Sequence, residues 1–299
     1  MLQDLTTEGR NPASDRLDSL SALEIARLIN AEDARVAEAV GRETEAIAQA
    51  IEAIAQRLAV GGRLIYLGAG TSGRLGILDA SECPPTFNTP PEMVLGIIAG
   101  GPRAMTRAVE GAEDDVDVAV ADLDAVKLTA QDVLVGIATS GRTPYTIAGL
   151  KHARRIGAYA IGISCNEKSL LAADADLAIT PIVGPEVLSG STRMKAGTAT
   201  KMVLNMLSTG AMVRLGKTYG NLMVDLRATN SKLTDRAGRI VMALTKLRSA
   251  EAQRRLAECD GEVKTAIVAQ FRNVSPAQAR VLLAAAGGHL RRALEIRTE

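Results

Sequence analysis

From Ser21 to about Ala59 apolar residues recur at helical spacing: Leu23, Ile25, Ala26, Leu28 and Ile29, then Val36, Ala39, Val40, Ile47, Ile51, Ile54 and Leu58. This predicts helix as far as Gly61-Gly62, a pair suited to ending one. Residues 1–20 are polar and are expected to be extended. Beyond Gly62 the pattern changes. Short apolar runs rich in β-branched residues lie at 64–68, 93–98, 133–138, 158–163 and 176–180. They alternate with helical stretches near 73–82, 102–109, 115–126, 143–156 and 167–172. Such alternation predicts βαβ units and a doubly wound α/β domain, its parallel sheet covered by helices on both faces. From Lys195 to about Leu215 nearly every residue is small or apolar, which predicts a buried helix. From about Asn230 only helical patterning remains, punctuated by Gly261 and Asn273-Val274-Ser275-Pro276. The expected organisation is an N-terminal helical segment (1–60), an α/β domain (61–229) and a small all-helical C-terminal region (230–299).

Within the α/β region one tetrapeptide occurs twice, as Thr71-Ser72-Gly73-Arg74 and as Thr139-Ser140-Gly141-Arg142. Each copy follows an expected strand and precedes an expected helix. Backbone N–H groups, a helix N-terminus and hydroxyls then converge on one spot, which suits an anion. Ligands of such sheets bind beyond the carboxyl ends of the strands, where both copies fall. Two copies predict one ligand held from two sides, most simply a phosphorylated small molecule. Ser189-Gly190-Ser191-Thr192-Arg193, ahead of the buried helix, is a third hydroxyl-rich helix start.

Composition narrows the choice. With a formal net charge of +1, no global field draws the chain to nucleic acid or an anionic membrane. There is no Trp, and only two Phe and four Tyr, so a base-stacking platform is not expected. The three cysteines (Cys83, Cys165, Cys259) are far apart and fit no metal spacing, as suits a reducing cytoplasm. No signal peptide is expected at the N-terminus, and no apolar run approaches the ~18–20 residues of a membrane span. The only histidines are His152 and His289. His152, in a Lys-His-Ala-Arg-Arg run, is expected to be exposed, and His289 lies in the C-terminal region. Acid–base chemistry would therefore fall to carboxylates or lysines.

Gly68-Ala69-Gly70-Thr71-Ser72-Gly73 also fits the dinucleotide fingerprint G-x-G-x-x-G, but the second strand ends Ile97-Ile98-Ala99-Gly100-Gly101. It lacks the acidic residue that would hold the ribose, so NAD is not expected. Glu82 precedes Pro84-Pro85, a pair expected to break the helix. A plain surface glutamate is the usual reading of such a residue. In Glu110-Gly111-Ala112-Glu113-Asp114-Asp115 the aspartates suit the cap of the helix near 115–126.

Taken together these residues resemble the sugar isomerase (SIS) domain, a five-stranded parallel sheet that binds phosphorylated sugars. Ser72 matches the serine of that family's first loop, and Ser140 with Thr143 match the Ser-x-x-Thr of its second. More narrowly the chain resembles the N-acetylmuramic acid 6-phosphate etherase family. The matching stretches are 68–76, Asp79-Ala80-Ser81-Glu82-Cys83-Pro84-Pro85-Thr86-Phe87, 110–115, Gly184-Pro185-Glu186, 189–198 and Asn230-Ser231-Lys232-Leu233.

The resemblance implies removal of D-lactate from N-acetylmuramic acid 6-phosphate by elimination and then hydration, without metal or cofactor, in cell-wall amino-sugar recycling. It implies Glu82 as proton donor and Glu113 as the second acid–base group. It places Thr71, Ser72, Gly73, Ser140, Gly141, Thr143, Ser191 and Thr192 around the sugar phosphate. It also implies a cytoplasmic homodimer, with the Ser21–Ala59 helices and the helix from Lys195 available for the dimer face. Two alternatives remain: a SIS sugar-phosphate isomerase, or a non-catalytic sensor like the glucokinase regulatory protein. The Glu82 and Glu113 strings are not demanded by isomerisation. The regulators carry two SIS domains, whereas 299 residues fit one.

Overall fold

A computed structural model describes residues 5–226 and 231–296, with the side chains of 231 and 232 excepted. The elements run α1 (Ala22–Asp33), α2 (Val36–Gly41), α3 (Thr44–Ala59), β1 (Leu64–Gly68), α4 (Gly70–Phe87), β2 (Val94–Ile98), α5 (Val116–Ala125), β3 (Val133–Ile137), α6 (Pro144–Ile156), β4 (Tyr159–Ile163), α7 (Leu170–Ala173), β5 (Leu177–Ile179) and α8 (Lys195–Arg214). A two-residue hairpin follows, β6 (Thr218–Tyr219) and β7 (Leu222–Met223), and then α9 (Ser231–Thr245), α10 (Ser249–Glu258), α11 (Val263–Arg272), α12 (Pro276–Ala285) and α13 (Leu290–Glu295). The chain forms two compact units: Met1–Ser81 with Pro91–Ser208, and Glu82–Pro90 with Thr209–Glu299.

In the first unit all five expected strands form one parallel sheet, in the order β2-β1-β3-β4-β5. The central strands β1 and β3 are buried along their whole length, which is why they read as unbroken apolar runs. Helices α5 and α6 cover one face through Leu123, Tyr145 and Leu150, packed on Ile65, Leu67 and Leu134. From β1 the chain steps outward to β2, and from β3 it steps the other way to β4. The order therefore reverses between β1 and β3, where Gly68 pairs with Ile137. Such a reversal opens a crevice at the carboxyl ends of the two strands.

The opposite end of those strands is tied by one ion pair. Arg63 donates to the buried Asp132 from its backbone N (2.8 Å), Nε (3.1 Å) and Nη2 (2.7 Å). Thr129 adds two bonds to the same carboxylate. On the other face of the sheet Asp79 of α4 accepts from Tyr66 of β1 (2.8 Å) and Ser208 of α8 (3.1 Å). Burial raises the Asp79 pKa, although these hydrogen bonds oppose the shift.

Several local expectations change. The helix expected across Ser21–Ala59 is three helices. Its start is capped as the sequence allows, with reciprocal Ser21 and Glu24 bonds. It stops at Asp33 beside Glu32, which is drawn into the interior by Lys195 (2.6 Å) and Asn11 (2.8 Å). The N-terminal stretch is not extended. It forms three short 3₁₀ turns between Thr6 and Ser19, and Thr7 exchanges two hydrogen bonds with Asn166. The expected helix 102–109 is a 3₁₀ turn, Gly101–Met105. The Pro84-Pro85 pair does not break α4, which runs on to Phe87. Each proline keeps a helical φ and removes one N–H. The loss falls in the last turns, where buried Cys83 and Phe87 hold the chain and Asn88 N bonds back to Pro84 O. The hairpin β6–β7 has no counterpart in the sequence pattern. In the second unit the described helices close on a core that includes Leu226, Ile240, Leu256, Ile267 and Leu290.

Asp132 supplies a test. Burial pushes its pKa up, but bonds from Arg63 and Thr129 and the guanidinium charge outweigh that and hold it below the usual carboxylate value. Its contribution is then full above the ordinary carboxylate pKa and fades as pH falls through the lowered one. Asp132→Asn should cost about 3 kcal/mol at neutral pH, measured by denaturant unfolding. The gap to the parent protein should narrow when both are unfolded near pH 3, roughly one unit below the ordinary carboxylate range.

Candidate active site

The first loop leaves β1 at Gly68 and winds directly into α4. Gly70 takes φ +53°, and Thr71, Ser72 and Gly73 form the first helical turn. Ser72 is only 8% exposed. A Cβ on Gly73 would lie 2.6 Å from Gly68 O and from Ile98 Cγ1, so only glycine lets α4 start this close to the strand ends. The amides of a first helical turn have no partner within the helix and carry the positive end of its dipole.

The second loop leaves β3 one strand over. Thr139 O accepts from Cys165 N (2.9 Å) and Asn166 Nδ2 (3.0 Å), and Gly141 O accepts from Leu171 N (3.0 Å). Ser140 Oγ accepts from Arg142 N (3.3 Å). Gly141 has φ +70° and abuts the Ser169 side chain, leaving no room for a Cβ. Thr143 is the N-cap of α6, followed by Pro144, yet its side chain makes no capping bond. Among the described residues the Thr143 hydroxyl makes no hydrogen bond.

Glu113 lies between the two loops. Its carbonyl accepts from Tyr145 N (3.0 Å), in the first turn of α6. Its residue also borders a cleft of about 160 Å³ together with Ala69, Gly70 and Arg74 of the first loop. Arg74 braces the far wall by donating to Met105 O (3.1 Å) and Arg107 O (3.4 Å). Of the two aspartates expected to cap α5, Asp115 does so through Val118 N (3.0 Å). Glu113 is exposed, and among the described residues no hydrogen bond or ion pair uses its carboxylate.

The helix start of α8 differs from the other two. Glu186 is fully buried, and its carboxylate accepts from Lys195 N (2.9 Å) and Ala196 N (3.0 Å). The first amides of α8 and its dipole are thus already met by an internal anion. Thr192, which Ser191 precedes, still stands beside the first loop, for a Cβ on Gly197 would lie 3.5 Å from Thr192 O and 3.7 Å from Thr71 Cγ2. They can offer hydroxyls but not that helix's first amides. In the sequence Glu186 stands out only as part of the matching string Gly184-Pro185-Glu186. Its role was legible solely as a carboxylate nine residues ahead of a helix, too far for an ordinary cap.

Glu82 lies nearly three turns beyond Ser72 on α4, is exposed, and belongs to the second unit. Among the remaining residues considered for chemistry, His152 is not exposed. It is 6% accessible, with Asp124 2.9 Å from Nε2 and Arg155 2.7 Å from Nδ1. Cys165 is buried beside Glu186, and burial first, then that charge, pushes its thiol up to about 12, so it is no nucleophile.

A parallel sheet with hydroxyl loops on both sides of its reversal defines a SIS-domain protein. Family models describe the same thing: residues 46–154 match the glucokinase regulatory protein N-terminal SIS domain, and 116–210 match the SIS domain. The phosphoheptose isomerase of Neisseria gonorrhoeae shares the fold, with a TM-score of 0.50 and 21% identity over 64% of this chain and 98% of its own. Three curated relatives, all named N-acetylmuramic acid 6-phosphate etherase, cover nearly the whole chain. That of Rhodopirellula baltica is 61% identical over 100% of this chain and 99% of its own. That of Streptomyces coelicolor is 56% identical over 98% and 94%, and that of Yersinia pestis 57% over 97% and 98%. The chain belongs to the N-acetylmuramic acid 6-phosphate etherase family.

The Glu186 cap gives a prediction independent of chemistry. Glu186→Ala strips two amides of their acceptor and should cost about 2 kcal/mol. Glu186→Gln keeps one acceptor oxygen and should recover roughly half of that loss. Equal unfolding midpoints for the two variants would show that the carboxylate does not cap α8.

Proposed function

We propose that the chain cleaves the D-lactyl ether of N-acetylmuramic acid 6-phosphate, giving N-acetylglucosamine 6-phosphate and D-lactate. The observation that carries this is the placement of Glu113 between two register-matched hydroxyl loops, in a chain 56–61% identical to etherases over nearly its full length. Thr71, Ser72 and Gly73 on one side, and Ser140, Gly141 and Thr143 on the other, hold the 6-phosphate. Ser191 and Thr192 add hydroxyls.

The reaction then follows from the sugar's own chemistry. Ring opening exposes a C1 aldehyde, which acidifies the C2 proton. The Glu113 carboxylate takes that proton. The electron pair forms the C2–C3 double bond as the C3–O bond breaks, and Glu82 gives its proton to the departing lactyl oxygen. Water adds at C3 of the unsaturated aldehyde, its proton passing to the Glu82 carboxylate, while Glu113 returns a proton to C2. Both carboxyl groups are then restored. Two carboxyl groups in opposite protonation states suffice for every transfer.

The chain works in the cytoplasm as a homodimer. Three buried free thiols suit a reducing compartment. Leu78 and Met206, both exposed on the first unit, suit a face covered by a second copy. Among the described residues no helix is long and apolar enough to cross a membrane.

The division of labour is testable by exchange. Glu82→Gln and Glu113→Gln should both fold and lose roughly 10²–10⁴-fold in turnover. Glu82→Gln should still exchange the C2 proton with solvent deuterium while failing to expel lactate. Glu113→Gln should lose that exchange. Near-normal turnover in either variant would remove that residue from the chemistry.

The phosphate assignment has its own test. Ser140→Ala should weaken binding of the 6-phosphate substrate by roughly 1.5–3 kcal/mol. An equal loss on unphosphorylated N-acetylmuramic acid would show that Ser140 does not hold the phosphate.

A further inference from the structure

The repeated tetrapeptide ends in arginine both times, and the two arginines are used differently. Arg74 is a strut, its guanidinium spent on the carbonyls of Met105 and Arg107. Arg142 occupies the same place in the second copy and is half-buried. Only its backbone N–H is engaged, with Ser140. Among the described residues its guanidinium has no hydrogen-bond or ion-pair partner.

Arg142 borders a cavity of about 560 Å³, whose wall also includes Thr6, Asn166, Glu167, Lys168 and Ser169. The wall is built rather than loose. Asn166 is almost fully buried and is held by Thr7 and by Thr139 O. Ser169 caps α7 through Ala172 N. Arg142 and Lys168 against Glu167 leave one surplus positive charge on this wall. An anion entering here meets a cation already positioned by the phosphate loop.

The substrate carries two anions, the 6-phosphate and the carboxylate of the lactyl group. The loops' amides and hydroxyls account for the first alone. We propose that Arg142 receives the lactyl carboxylate, making it the residue that distinguishes the muramyl substrate from sugar phosphates without the ether. The proposal rests on the function and phosphate assignment given above. A guanidinium presents a planar fork that matches a carboxylate with two parallel hydrogen bonds, which an ammonium cannot do. Elimination detaches the lactyl group from the sugar, so the sugar product loses this contact and is held by its phosphate alone. Arg142 then contributes to substrate binding without tightening the hold on that product.

The test compares substrate with product-like inhibitor. In lactate-release assays Arg142→Ala should raise KM for N-acetylmuramic acid 6-phosphate roughly ten- to a hundredfold. The inhibition constant of N-acetylglucosamine 6-phosphate should stay unchanged. Arg142→Lys, which keeps the charge and loses the fork, should fall between. Ser140→Ala, run alongside, should weaken both ligands together. If Arg142→Ala raises KM and the inhibition constant by the same factor, Arg142 serves the phosphate and the proposal is wrong. An unchanged KM, or a loss confined to kcat, overturns it equally. If Ser140→Ala leaves the inhibition constant untouched, the phosphate assignment fails, whereas the Arg142 split is still read from its own pair of constants.

Discussion

The pairing of Gly68 with Ile137 sets the level at which two loops leave the sheet. β1 and β3 are parallel neighbours in register, so the chain emerges from both at the same height and on the same edge. The first exit turns at once into α4, with Thr71 and Ser72 in its first helical turn. The second passes through residues 138–143 before α6, and its hydroxyls, on Thr139, Ser140 and the N-cap Thr143, stand ahead of that helix. A shift of either strand by one residue would move its loop by about 3.3 Å and face the wrong side chains outward. The Arg63–Asp132 pair at the far end of the same two strands opposes that slip.

Charge decides which helix starts are available to a ligand. Three helices, α4, α6 and α8, begin near one another in the first unit with hydroxyl-bearing residues. At α8 the buried Glu186 takes the first amides, so that end is already neutralised. At α6 Thr143 withholds the usual cap. An anion arriving from solvent therefore meets free first-turn amides at α4 and a closed end at α8, while at α6 Pro144 has no N–H and Tyr145 N is already taken by Glu113 O, so the second loop offers chiefly its hydroxyls. Glu113 stands with α4 and α6, tied by its backbone to α6 and bordering the cleft beside α4.

The five strands and the βαβ order were legible because buried parallel strands leave unbroken apolar runs, as at Leu64–Gly68 and Val133–Ile137. The repeated loop was legible because its residues are unusual at that place. What escaped notice depends on contacts distant in sequence. Helical periodicity across Ser21–Ala59 cannot show that Glu32 is pulled inward by Lys195, 163 residues away. Polarity made residues 5–20 read as extended, but Thr7 and Asn11 lock them onto Asn166 and Glu32. Proline statistics mispredicted the end of α4, since buried anchors at Cys83 and Phe87 override them. A basic run made His152 read as exposed, although Asp124 and Arg155 enclose it.

Isotope labelling reads the route of ether cleavage at the two carbons that change. The reaction run in H₂¹⁸O and, separately, in D₂O should give N-acetylglucosamine 6-phosphate labelled with ¹⁸O at C3 and with deuterium at C2. The hydroxyl of the released lactate should keep its original oxygen. If the sugar retains its original C3 oxygen and the lactate hydroxyl carries ¹⁸O, water has attacked the lactyl carbon. Elimination and hydration through Glu113 and Glu82 would then be contradicted.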